Sequence, residues 1–95
     1  MPNKGVILVD YTDQGRRAIK DSPNRAEASK AEAAKLGLQV KDISFTPGGE
    51  HDAAMVVESD SRETIGKFMS GVQSLGNVKM KFVRAFSIEE MRKMV

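Results

Sequence analysis

Thr46-Pro47-Gly48-Gly49-Glu50-His51-Asp52-Ala53-Ala54-Met55-Val56-Val57-Glu58 joins two similar halves of the chain and decides how they fold together. Pro47 presets a turn dihedral and the two glycines tolerate positive φ, so Thr46 to Gly49 reads as a hairpin turn. His51 to Glu58 then returns as a strand. Alternation puts His51, Ala53, Met55 and Val57 on one face and Asp52, Ala54, Val56 and Glu58 on the other. The middle of this strand is therefore apolar on both sides.

Toward the N-terminus, Leu38 to Phe45 alternates with one change of phase near Asp42, which predicts a β-bulge or a twisted edge. Before it, Arg25 to Leu36 is rich in Ala, Glu and Lys and reads as helix, closed by Gly37. Pro23 lacks an amide donor and disfavours the α conformation at Ser22, so Ser22 is expected as the N-cap with Pro23 at the first helical position. The alanines of this helix predict close packing on a sheet. Helical pattern also runs from Gln14 past Ile19 until Asp21-Ser22-Pro23 interrupts it. Val6-Ile7-Leu8-Val9, extended by Asp10 and Tyr11, is a strand with no wet face in its middle, and Thr12 and Asp13 can cap the helix start that follows.

Toward the C-terminus, Asp60-Ser61-Arg62-Glu63 resembles a capping box with Asp60 as cap. Ile65, Phe68, Met69, Val72 and Leu75 then recur at helical spacing until Gly76-Asn77. Val78 to Phe86 is a fourth strand, with Val78, Met80 and Phe82 alternating against Lys79, Lys81 and Val83. The two lysines mark a solvated edge. Ser87-Ile88-Glu89-Glu90 repeats the capping logic and opens a short tail helix carrying Ile88, Met91 and Met94.

The order is β-α-β-β-α-β, the ferredoxin-like split motif. It predicts an α+β fold, one domain over residues 1–95, with a four-stranded antiparallel sheet and a short C-terminal helix. Right-handed crossovers place the first and third strands in the middle and both long helices on one face. Those two strands are also the ones that are apolar on both faces. Two helices cover only one of them, and monomers rarely leave a large apolar patch bare. A second copy of the chain is the expected cover, which makes the protein a homodimer or higher homo-oligomer, packed sheet to sheet or through extended strands.

Composition narrows the function classes. The 95 residues are 40% hydrophobic and 29% charged, as in soluble globular proteins. Fifteen Lys and Arg against thirteen Asp and Glu leave a net charge of +2, and the charges are interspersed, so no nucleic-acid partner is expected. No apolar run reaches the roughly 20 residues that span a bilayer. Met1-Pro2-Asn3-Lys4 leads straight into a strand, so neither a signal peptide nor a membrane partner is expected. Cysteine is absent, which removes disulfides and thiolate chemistry and fits a cytoplasmic setting. With one histidine and scattered acids, no metal site and no cofactor are expected.

Asp10-Tyr11-Thr12-Asp13-Gln14-Gly15, Lys20-Asp21-Ser22-Pro23, Arg25-Ala26, Gly49-Glu50-His51-Asp52, Ser74-Leu75-Gly76-Asn77-Val78 and Arg84-Ala85-Phe86 together resemble the GYD domain family over nearly the whole chain. The resemblance implies a small bacterial or archaeal protein of no established activity. It also implies the fold of the dimeric α/β-barrel group, which includes cofactor-free monooxygenases, haem-handling enzymes and stress-response proteins. The chain departs from the family at His51, which stands where the tyrosine of the family's name is found.

Four residues are candidates for a site. His51 titrates near neutrality and suits a general base or a hydrogen-bond switch; neighbouring strand residues point to opposite faces, so Asp52 is not expected to orient it. The plainer alternative puts His51 at the strand entry near the dimer seam, with Asp52 satisfying turn amides. Tyr11 leads into Thr12-Asp13-Gln14-Gly15, a strand-to-helix loop suited either to simple capping or to a polar ligand. Arg84 is either an anion anchor or the cross-strand partner of Glu58 or Asp10. The methionines read as core and interface filler. The expected function is a small oligomeric module binding a small molecule between sheet and helices through Tyr11, His51, Asp52 and Arg84. Two alternatives stand beside it: a cofactor-independent oxygenase or isomerase with His51 as base, and a structural or regulatory assembly unit without ligand.

Overall fold

Val6 to Val9 becomes the axis of the sheet. A computed structural model describes residues 3–95: β1 (Asn3–Tyr11), the short α1 (Asp13–Arg17), a 3-10 turn (Ile19–Asp21), α2 (Ser22–Leu36), β2 (Gln39–Phe45), β3 (Ala53–Ser59), α3 (Arg62–Ser74), β4 (Val78–Arg84) and α4 (Ile88–Met94). The four strands form one antiparallel sheet in the order β2-β3-β1-β4. The expected β-α-β-β-α-β order is present, with β1 and β3 in the centre and the lysine-bearing β4 at an edge.

Alternation divides the sheet. Gly5, Ile7 and Val9 of β1 and Ala53, Met55 and Val57 of β3 face α2 and α3, where they join Ala33, Ile65 and Phe68 in the buried core. Burying each such aliphatic side chain is worth about 1.5–3 kcal/mol. Val6, Leu8, Ala54 and Val56 point the other way and stay only partly buried, joined there by exposed Val83. The register of β2 on β3 shifts between Val40 and Asp42, the bulge expected from the change of phase.

Several boundaries differ from the sequence reading, each for a local reason. Ser22 is not the cap of α2 but its first residue, its hydroxyl engaged with Tyr11 and Arg25 instead; Asp21 is the cap and makes no side-chain capping bond. Ser61, not Asp60, caps α3, its hydroxyl accepting from the Thr64 amide. β3 begins at Ala53 rather than His51, since His51 and Asp52 lie in the bend that closes the hairpin. β4 ends at Arg84, before Phe86. Gly37 closes α2 in the left-handed conformation, with φ 81°. Met91 and Met94 of α4 are exposed along with Ile88, whereas Met55 is buried and Met69 and Met80 pack on the core.

The capping box of α4 is complete. Ser87 Oγ accepts from the Glu90 amide at 3.1 Å while the Ser87 amide donates to Glu90 Oε1 at 3.0 Å. That backbone bond, helped by the Ser87 hydroxyl and by the charges of Arg84 and Lys4, holds the Glu90 carboxyl below its ordinary value. A carboxyl lowered in the folded state contributes stability that is present above its unfolded value and lost as pH falls through the folded one. Glu90 should therefore titrate with a midpoint below 4.5 in carboxyl-detected NMR, and Ser87→Ala should raise that midpoint. A midpoint at or above 4.5 in the unaltered chain would show that the box is open in solution.

Candidate functional site

The C-terminal end of β1 is held from three directions. The backbone amide of Tyr11 donates to Asp52 Oδ2 at 2.8 Å, and the Arg16 guanidinium lies over the Tyr11 ring at 5.7 Å while reaching Asp52 at 3.5 Å. Thr12 accepts from the Gly15 amide, capping α1, and its hydroxyl donates to the Gly76 carbonyl at 2.6 Å. Its own amide donates to the Asn77 carbonyl at 3.0 Å. Gln14 adds bonds to the Leu75 carbonyl and the Asn77 side chain. Gly15 is required here, because a Cβ at that position would run into the backbone carbonyl of Asn77.

Arg25, one turn into α2, completes the arrangement. It donates to the carbonyls of Ala18 at 2.8 Å and Gly15 at 3.3 Å and to Ser22 Oγ at 3.1 Å. Ser22 Oγ also meets the Tyr11 hydroxyl at 2.8 Å. Ser22 is buried and Arg25 partly so.

These residues form the polar part of the wall of a cavity of about 420 Å³ between the sheet and helices α2 and α3. Its floor is Val9, Ala53, Met55 and Met80, with Ile43 and Val72 at the sides. Phe45 and Leu75, 44% and 69% exposed, stand at the opening. Small residues on the helix side, Ala26 and Ala28 of α2 and Gly71 of α3, leave room for the cavity beside the larger Arg25, Glu32 and Val72. Close packing by alanine, expected along the whole of α2, holds at fully buried Ala33 but gives way to this cavity in the first half of the helix.

The four sequence candidates do not share one cleft. Tyr11 lines the cavity. Asp52 serves the Tyr11 amide, with its own amide donating to the Val9 carbonyl. His51 turns to the opposite side of the sheet, where its Nδ1 lies 3.1 Å and 3.2 Å from the two carboxylate oxygens of Asp10. Asp10 alternates with Val9 and Tyr11 and so faces away from the cavity. The acid that lies against the imidazole is thus Asp10, 41 residues away in sequence and brought near by the β1–β3 pairing. Arg84 pairs opposite Gly5 at the far end of β1 from Tyr11. It makes no ion pair with Glu58 or Asp10, which alternate onto the other face and bond Lys41 and His51 instead. Its guanidinium lies over the Phe86 ring at 5.2 Å.

Sequence reading missed Ser22 and Arg25 as wall residues. Their presence in Lys20-Asp21-Ser22-Pro23 and Arg25-Ala26, stretches on which the family likeness rests, was the available signal. Among the described residues no group of three or more His, Asp or Glu side chains gathers as a metal site.

A family model described as GYD domain matches residues 6–95. The chain belongs to the GYD domain family. A comparison with curated proteins finds no match. In this GYD domain, five of the six stretches that carry the likeness meet around the end of β1; the sixth, Arg84-Ala85-Phe86, lies at the other end of the sheet.

Removing the Asp52 carboxylate should leave the Tyr11 amide without its acceptor. Asp52→Ala is expected to destabilise the fold by about 1–3 kcal/mol in urea unfolding, with Asp52→Asn, which keeps an acceptor oxygen, recovering part of the loss. Equal stability of the alanine variant would show that the amide is satisfied by another group.

Proposed function

We propose that this GYD domain is a homo-oligomeric module that binds a small, largely apolar molecule in the cavity between the sheet and helices α2 and α3. The carrying observation is the cavity itself: about 420 Å³ of mainly aliphatic wall with Tyr11, Ser22 and Arg25 converging on it. Sites for small molecules are of this kind, apolar concavities of roughly 300–1,000 Å³ with a few placed polar groups. Self-association is supported by the other face of the sheet, where Val6, Leu8, Ala54, Val56 and Val83 make a continuous apolar strip across β3, β1 and β4. No helix among the described residues is long and apolar enough to cross a membrane, and a cytoplasmic setting belongs to the same reading.

The Asp10–His51 pair supports a second reading, a cofactor-independent oxygenase or isomerase with His51 as base. A carboxylate fixing one ring nitrogen leaves the other free to take a proton. Such a substrate would have to lie on the side of the sheet away from the cavity.

Two measurements test the leading reading. Titration of an apolar fragment panel, followed by methyl NMR, should move Val9, Val72 and Met80 together, and Val72→Trp, which fills the cavity, should abolish the response. Shifts confined to other surfaces, or none across the panel, would overturn it. Light scattering should give at least twice the chain mass of 10.4 kDa, with Leu8→Lys dissociating the assembly. A 10.4 kDa particle would overturn the association.

A further inference from the structure

Resting on the cavity reading above, we propose that the ligand carries a carboxylate on its apolar body and that this head is received by Tyr11 and Arg25. Tyr11 and Ser22 each bring one hydroxyl hydrogen, and their mutual contact at 2.8 Å uses one of the two. The other Ser22 contact, with Arg25, is made by a group that only donates. Whichever way the Tyr11–Ser22 bond runs, one hydroxyl hydrogen is left, and neither hydroxyl has another acceptor among the described residues. Ser22 is only 6% exposed. Leaving the surplus hydrogen on it would bury an unmade hydrogen bond. Both hydroxyls rotate, and turning the bond so that Ser22 donates to Tyr11 satisfies the buried hydroxyl, keeps the Ser22 oxygen open to Arg25 and frees the phenol hydrogen for a molecule in the cavity that Tyr11 lines.

Arg25 has the same surplus. Its three bonds engage neutral oxygens, leaving two of the five guanidinium N–H groups unused, and it forms no ion pair among the described residues. Arg16, over the Tyr11 ring, adds positive charge nearby, partly offset by its contact with Asp52. Glu32 is the one acid on the cavity wall. It is exposed and two helical turns beyond Arg25, about 10 Å along α2, so it leaves the Tyr11 end cationic. A group that only accepts and carries negative charge satisfies both surpluses; an alcohol answers one of them in part, and an ammonium answers neither.

The test uses three probes with the same tail, decanoate, decanol and decylamine, titrated against the assembled protein by calorimetry and methyl NMR. Decanoate should bind roughly tenfold more tightly than decanol, as expected for one charge-assisted hydrogen bond over a neutral one, with decylamine weakest. Tyr11→Phe should weaken decanoate several-fold and decanol by less, and Arg25→Gln should abolish the preference. Arg25 also holds two carbonyls, so its variant is read only if it folds; the wild-type ranking and Tyr11→Phe decide without it. Equal binding of decanoate and decanol at Val72 and Met80 would overturn the carboxylate and leave the cavity standing. No shift at those residues with any probe would overturn the cavity reading itself.

Discussion

The carbonyl oxygen of Asn77 occupies the place where any side chain at position 15 would begin. This contact lets the loop after β1 lie directly on the loop before β4. Thr12 can then donate to Asn77 and Gly76, and Arg25 can reach the Gly15 carbonyl from α2. One close approach therefore ties the central strand, an edge strand and the longest helix together at one end of the sheet. Tyr11 is aimed by it, since its ring is carried by the residue just before the pinned loop. Without that approach the polar part of the cavity wall would have no fixed geometry.

The cavity follows from a compromise within α2. Alanine at position 33 allows the helix to seat tightly against the core, and the same small residue type at positions 26 and 28 leaves space unfilled nearer the helix start. A larger side chain there would add buried area at about 25 cal/mol per Å² and remove the space. The half-buried Arg25 compounds this, because it spends its hydrogen bonds on backbone carbonyls rather than on a carboxylate that would neutralise it. The region is therefore less stabilising than an aliphatic filling would be, a pattern that sites for ligands share with few other parts of a fold.

Much of the architecture was legible because it is written in short-range patterns. The unbroken Val6 to Val9, the phase change at Asp42, the glycine at position 37 and the Ser87–Glu90 box all act through neighbours a few residues away, and each appears where the sequence places it. The caps of α2 and α3 were misread by one residue where two hydroxyl or acid side chains compete side by side. At Ser22 a distant phenol decides the matter, and no local pattern reports it. The site was less legible for the same reason. Asp52 and Tyr11 are 41 residues apart, as are His51 and Asp10, and both pairs depend on the hairpin bend placing His51 and Asp52 outside the strand. Strand alternation, applied two residues too early, put His51 on the cavity side.

Alternation also makes the two faces of β1 chemically independent. Ile7, Val9 and Tyr11 serve the core and the cavity; Val6, Leu8 and Asp10 serve the opposite surface. The imidazole beside Asp10 belongs to the second set, apart from the wall of the cavity between sheet and helices. Lys79 pairs across from Asp10 on the neighbouring strand, which makes that margin a place of alternating charge around an apolar centre. A covering sheet related by two-fold symmetry would bring apolar centre to apolar centre, as an isologous interface requires. The charged margin would then govern register, with the cavity on the far side of each strand.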